Sequence, residues 1–238
     1  MQWLNLLALA AFALLQRLAL HVSRSSAAQR RRIVRALCWA LLAGNLVRYL
    51  IVYPFFGGGA RLPAEFSTVA YFAVPAILLA GCETLESWAA YAGLMAGFFY
   101  YAAMILAGGA IYGTAPLRNT CISLFCHGTL YFCGFVTASA RHYPRRELGK
   151  LLAGVGLVAL RAAAMRPLVA GSGRMLIYIL LDAVPVRTVC PDGALPAALA
   201  VYYVLLAVFV VLTAEWFIYR SGRFPRRRAS YRAAVCGA

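Results

Sequence analysis

Long apolar runs recur along this chain, each about as long as the roughly 20-residue helix that one crossing of a bilayer requires. They fall near residues 3–23, 33–56, 66–82, 88–111, 118–140, 150–171 and 196–219. Backbone N–H and C=O groups find no water in hydrocarbon, so runs of this length are stable there as helices that satisfy those groups internally. Composition agrees. Hydrophobic residues make up 63% of the 238, charged residues only 13%, and the mean hydropathy is +0.77. A soluble domain carries about 45–50% apolar and about 25% charged residues. The expectation is all-α: a polytopic membrane helix bundle of about seven transmembrane helices, with one domain over 1–219 and a basic tail over 220–238. No polar stretch is long enough to fold alone.

Two segments need separate treatment. The run Met175–Val186 is too short to cross and is interrupted by Asp182 and Pro185, so it reads as a re-entrant or interfacial segment. The first run has neither a basic leader nor an Ala-x-Ala cleavage pattern, so it is expected to be a retained helix rather than a signal peptide.

A net charge of +16 would point to nucleic acid in a soluble protein. Here the charge is segregated by loop. Arg24, Arg30, Arg31 and Arg32 lie between the first two runs, and Arg141, Arg145, Arg146 and Lys150 between the fifth and sixth. Arg220, Arg223, Arg226, Arg227, Arg228 and Arg232 follow the last, whereas the alternate loops hold only Arg61, Arg118, Arg174 and Arg187. Such a bias marks cytoplasmic loops. It predicts an outside N-terminus, a cytoplasmic C-terminus, contact with anionic phospholipid and no nucleic-acid partner. A multi-pass protein of the cell membrane, of bacterial inner-membrane type, is the expected setting.

Neither cysteines nor histidines form a ligand pattern. Cys38, Cys82, Cys121, Cys126 and Cys133 lie within apolar runs, where cysteine serves as a small apolar residue. The three histidines, at 21, 127 and 142, are far apart in sequence. No metal site and no cofactor are expected.

His127 is the exception to an apolar interior. Residues four apart share a helix face, so Asn119, Ser123, His127 and Tyr131 form one polar stripe. An ionisable side chain at membrane depth marks a functional site by default. Arg161, eleven residues beyond Lys150, is the other deep charge and requires a carboxylate, backbone carbonyls or an anionic head group as partner. Asp182 is the preferred carboxylate for Arg166 or Arg174.

Three stretches carry a family resemblance. Leu62–Thr68 is similar to a Leu-Pro-x-His-Leu-Cys pattern, and Phe125–Gly128, after the loop Gly113–Pro116, to a Ser-His-Gly pattern. The segment from Tyr202 to Tyr219 is similar to a closing helix. Together they resemble the YwaF-type family of bacterial integral membrane proteins, related to transmembrane phospholipid acyltransferases and more distantly to intramembrane threonine/histidine ester hydrolases. The chain departs from the pattern in having Ser67 where it has cysteine and Glu65 where it has histidine. The resemblance implies acyl transfer or ester hydrolysis on a membrane lipid. Ser67 or Thr68 would be the nucleophile and His127 the general base. Asn119, Ser123 or Tyr131 would orient the imidazole or the substrate, and Arg161 would hold a phosphate.

Other readings remain open. His127 can instead supply a helix–helix hydrogen bond worth about 0.6–2 kcal/mol, the Gly93/Gly97 pair serving close packing. A small transporter or channel for an anionic solute would use the intramembrane arginines, but the chain shows no repeated halves. A non-catalytic membrane scaffold is the remaining alternative. The catalytic reading requires a cavity and a hydroxyl or thiol beside His127, and the packing reading requires a dry imidazole.

Overall fold

The computed structural model describes residues 2–56, 62–63, 65–112, 117–169, 176–191 and 193–221. Arg61, Ala64, the loop Gly113–Pro116, Arg174, Asp192 and the basic tail beyond Ser221 lie outside them. The described residues form helices without a strand: α1 (Gln2–Ser23), α2 (Ala27–Val47), α3 (Tyr53–Phe56), α4 (Phe66–Ala80), α5 (Glu83–Tyr112), α6 (Leu117–Ala140), α7 (Leu148–Met165), α8 (Leu176–Leu181), α9 (Val184–Val189) and α10 (Leu195–Ser221). Six helices are long and apolar enough to cross a membrane, as a multi-pass membrane protein would require.

The run expected at 66–82 becomes the 15-residue α4. At 1.5 Å per residue it spans about 22 Å, less than a hydrocarbon core of about 30 Å. Gly81, at φ 66°, caps it in the left-handed conformation that only glycine adopts without cost. Pro75 sits in its interior and lacks the N–H that the Tyr71 carbonyl would otherwise receive.

Helices α5 and α6 form the central pair and bury most of their length, whereas α10 buries little. Glycine sets the closeness of that pair. A β-carbon at Gly97 would stand 2.5 Å from the His127 carbonyl oxygen, and one at Gly134 would stand 2.6 Å from the Ala90 carbonyl oxygen. At Gly93 it would stand 2.8 Å from the Leu130 carbonyl oxygen. Backbones that approach this closely leave no room for a methyl group, which is the use of small residues in membrane helix contacts.

Around the pair, α1 packs antiparallel to α5. Asn5 donates to the Ile105 carbonyl at 3.0 Å near one end, and Phe12 meets Phe98 and Tyr101 further along. Helices α2 and α4 cover another side of α5 and α6, and α7 and α10 a third, with Tyr91 and Thr213 hydroxyls 2.8 Å apart. Ion pairs tie one end together. Arg141 meets Glu86 at 3.1 Å, Arg145 meets Glu215 at 2.9 Å, and the Tyr143 N–H donates to the Ser221 hydroxyl at 3.3 Å. The Glu86 carboxylate beside it raises the Arg141 pKa further. The antiparallel order puts the α1–α2 turn with Arg24, and the start of α2 with Arg30 to Arg32, at this same basic end.

The interrupted run becomes two short helices, α8 and α9, joined through Asp182 and Ala183, the latter at φ 49°. Arg166 clasps the Asp182 carboxylate with both Nη atoms, the partner expected from the sequence. Tyr178 donates to the Ala162 carbonyl at 2.9 Å, and Tyr202 and Tyr203 donate to Leu180 and Leu181.

Candidate functional site

The polar stripe on α6 runs from surface to core. Asn119 is exposed, Ser123 half-buried, and His127 and Tyr131 are buried. His127 is 6% exposed. Its Nδ1 lies 3.1 Å from the Ala96 carbonyl oxygen of α5. A carbonyl can only accept, so Nδ1 carries the proton and Nε2 the lone pair. The Tyr100 ring is stacked on the imidazole, centroids 3.7 Å apart and planes within 4°. Tyr71 of α4 meets it edge-on at 5.3 Å. One hydrogen bond and two aromatic neighbours make a packed environment.

The expected hydroxyls stand elsewhere. Ser67 precedes Tyr71 by one helical turn, about 6 Å of rise, and the Tyr71 ring is what touches His127. Thr68 turns back to donate to the Glu65 carbonyl at 2.8 Å, inside the first turn of α4. Tyr131 is engaged across the bundle, donating to the Gln16 side chain of α1. Arg161 of α7 donates to the Pro63 carbonyl just ahead of α4. The structure therefore brings Arg161 to the Leu62–Thr68 segment but does not join that segment's hydroxyls to the imidazole.

A second polar group adjoins this one through Cys126, the residue before His127. Asn45 of α2, 2% exposed, donates to the Leu41 carbonyl at 2.8 Å and lies 3.8 Å from Cys126 Sγ. Its Oδ1 is buried without a hydrogen-bond partner among the described residues. Just beyond, α2 widens into a π-turn over Arg48–Val52, and the Arg48 guanidinium lies 5.0 Å from the Tyr53 ring. Among the described residues no three His, Cys, Asp or Glu side chains gather where they could hold a metal ion.

Comparison with protein-family models, curated proteins and solved structures returns no match. The resemblance rests on its three short stretches alone.

Two apolar hollows lie between the helices, neither lined by His127. One, of about 350 Å³, lies among α1, α5, α6 and α10 toward the basic end. Phe12, Phe98 and Phe135 line its apolar walls, Gln16 and Tyr131 its deeper part, and Ser139, Trp216 and Arg220 its mouth. Trp216 is 47% exposed, so the hollow reaches the surface as a groove. The other, of about 460 Å³, lies among α1, α2, α5 and α6 and is almost wholly apolar, with Leu15, Leu37 and Phe132 on its walls. Sequence reasoning missed the first groove, because its residues come from four helices and share no spacing. The pairing of an intramembrane Gln16 with an aromatic and basic end to α10 was the available signal.

Proposed function

We propose that this chain is a seven-crossing protein of the cell membrane that binds membrane phospholipid in the lateral groove among α1, α5, α6 and α10. The short α4 is taken as the additional crossing, with the N-terminus outside and the basic end cytoplasmic. The groove carries the reading. Its volume, about 350 Å³, falls within the range of about 300–1,000 Å³ typical of ligand sites. Its walls are apolar, and Trp216 and Arg220 in its lining are exposed. A void against apolar walls forfeits dispersion contacts, and an acyl chain from the surrounding leaflet restores them.

Acyl transfer or ester hydrolysis would need the imidazole within hydrogen-bond reach of a hydroxyl. His127 instead hydrogen-bonds the Ala96 carbonyl and packs against the Tyr71 and Tyr100 rings. Lipid binding without chemistry at His127 is the reading that these contacts favour.

The test is lipid retention. Protein washed extensively in detergent and then extracted with organic solvent is expected to yield about one phospholipid per chain. Ser139→Trp, which fills the mouth of the groove from a half-buried position, is expected to abolish that yield while eluting as a monodisperse species. Lipid-free wild-type protein would refute the reading.

A further inference from the structure

We infer that the groove at the basic end selects an anionic phospholipid, with Arg220 as the ligand of its phosphate-bearing head group. The inference rests on the lipid-binding reading above and adds the chemical class of the lipid.

Selectivity has to come from the head group. An acyl chain that leaves the bilayer for an apolar groove gains no hydrophobic free energy, because lipid tails are as apolar as leucine. The polar mouth is therefore the place where one lipid can be preferred over another. Arg220 is the cationic side chain among the described residues that line the groove, and two other arginines at this end are already paired. Arg141 is paired with Glu83 and Glu86, and Arg145 with Glu215. Arg220 lines the groove, is exposed, and has no carboxylate partner among the described residues.

The surroundings of Arg220 favour an incoming anion. Its guanidinium lies 5.9 Å from the Trp216 ring, which also lines the groove. A cation over an indole face is steadied by the ring quadrupole while its N–H donors stay free to point elsewhere. The Ser139 hydroxyl at the same mouth donates to its own helix at 2.7 Å. Trp216 and Tyr219 are both exposed in the last two turns of α10, the end of a spanning helix being where aromatic side chains mark the head-group level. One guanidinium then meets a phosphate at the depth where a phospholipid carries it, and can do so in bidentate fashion.

A zwitterionic head group offers the same phosphate but adds a choline cation, which Arg220 repels. An anionic head group adds none. The arginine-rich end compounds this, since an anionic leaflet attracts basic residues by about 1 kcal/mol for each Lys or Arg near the surface. That corresponds to about fivefold in relative occupancy for a single arginine.

The experiment is native mass spectrometry of the full chain in detergent with equal amounts of dioleoyl-phosphatidylglycerol and dioleoyl-phosphatidylcholine. Identical acyl chains leave the head group as the only variable. Wild-type protein is expected to hold its first lipid as the glycerol form over the choline form by about fivefold. Arg220→Gln is expected to bring the ratio near one while still retaining lipid, and Arg220→Lys to keep most of the preference. Arg145→Gln, which removes an equal charge already bound to Glu215, is expected to leave the ratio unchanged. A ratio near one in the wild type, or an undiminished ratio in Arg220→Gln, overturns the inference and leaves lipid binding standing. An equal loss in Arg145→Gln assigns the preference to the general field of the basic end and overturns it too. Retention of neither lipid by the wild type overturns both the inference and the reading beneath it.

Discussion

At the scale of the residue, His127 is defined by what it touches. Its hydrogen bond to Ala96 spans the α5–α6 contact, and interhelical bonds of this kind contribute about 0.6–2 kcal/mol. The ring stacked on Tyr100 adds about 0.5–1.5 kcal/mol. His127→Ala removes both and leaves a space beside helices that glycine holds too close to relax. The expected cost is about 2–4 kcal/mol, read as a fall in the thermal unfolding midpoint in detergent, with the retained lipid unchanged. A variant melting with the wild type would remove the packing role. The sequence marks the residue as exceptional, because an imidazole in an apolar run must find a partner. It does not reveal the partner. Ala96 and Tyr100 come into range only through the rotation of α5 against α6, and that rotation is set by three glycines acting on backbone atoms. Tyr131 illustrates the same limit: spacing by four puts it on the His127 stripe, yet its hydroxyl is committed to Gln16 on a helix remote in sequence.

At the scale of the element, the boundaries follow from local chemistry that is visible in the chain. Ser26 accepts from the Gln29 N–H at 3.2 Å and starts α2, and Gly81 ends α4. The break near Asp182 and Pro185 appears as the α8–α9 turn. What local chemistry leaves out is how that turn is fastened. Asp182 accepts from Arg166 through its carboxylate and from Arg187, at 2.8 Å, through its carbonyl. Arg166 is half exposed, so the ion pair is worth about 0.5–1 kcal/mol at most, yet it is one of few ties on a short segment. Asp182→Ala is expected to raise amide hydrogen exchange across 176–189 severalfold, while α5 and α6 keep wild-type protection. Unchanged exchange in that segment would show that Tyr178, Tyr202 and Tyr203 suffice to hold it. Helix α4 is where run length misleads most: an apolar stretch expected over 66–82 becomes a 15-residue helix because Glu65 precedes its first turn in extended backbone and Gly81 ends it.

At the scale of the whole molecule, the proposed orientation makes a prediction about sidedness. With native cysteines replaced, Leu62→Cys and Gly193→Cys are expected to react with an impermeant maleimide on intact cells. Ser25→Cys and Thr84→Cys are expected to react only after permeabilisation. The reverse pattern would invert the orientation, and reaction of Leu62→Cys and Thr84→Cys from one side would deny α4 a crossing. The helical class and the clustering of basic loops at one end were legible in hydropathy and charge. The groove was not, because a hollow between four helices is a property of their packing rather than of any one of them.

The close approach of α5 and α6 also bears on the order in which the protein is built. These helices are successive in the chain, and the glycines that fit them together all precede Ala140. A growing chain therefore carries its entire central pair before α7 begins to emerge. Helix α10, which supplies Trp216 and Arg220, follows later and is anchored at the basic end by Glu215 and Ser221 to a loop already in place. The groove consequently comes into being only with α10, so a chain cut short before residue 195 would keep its centre and lack the proposed lipid site.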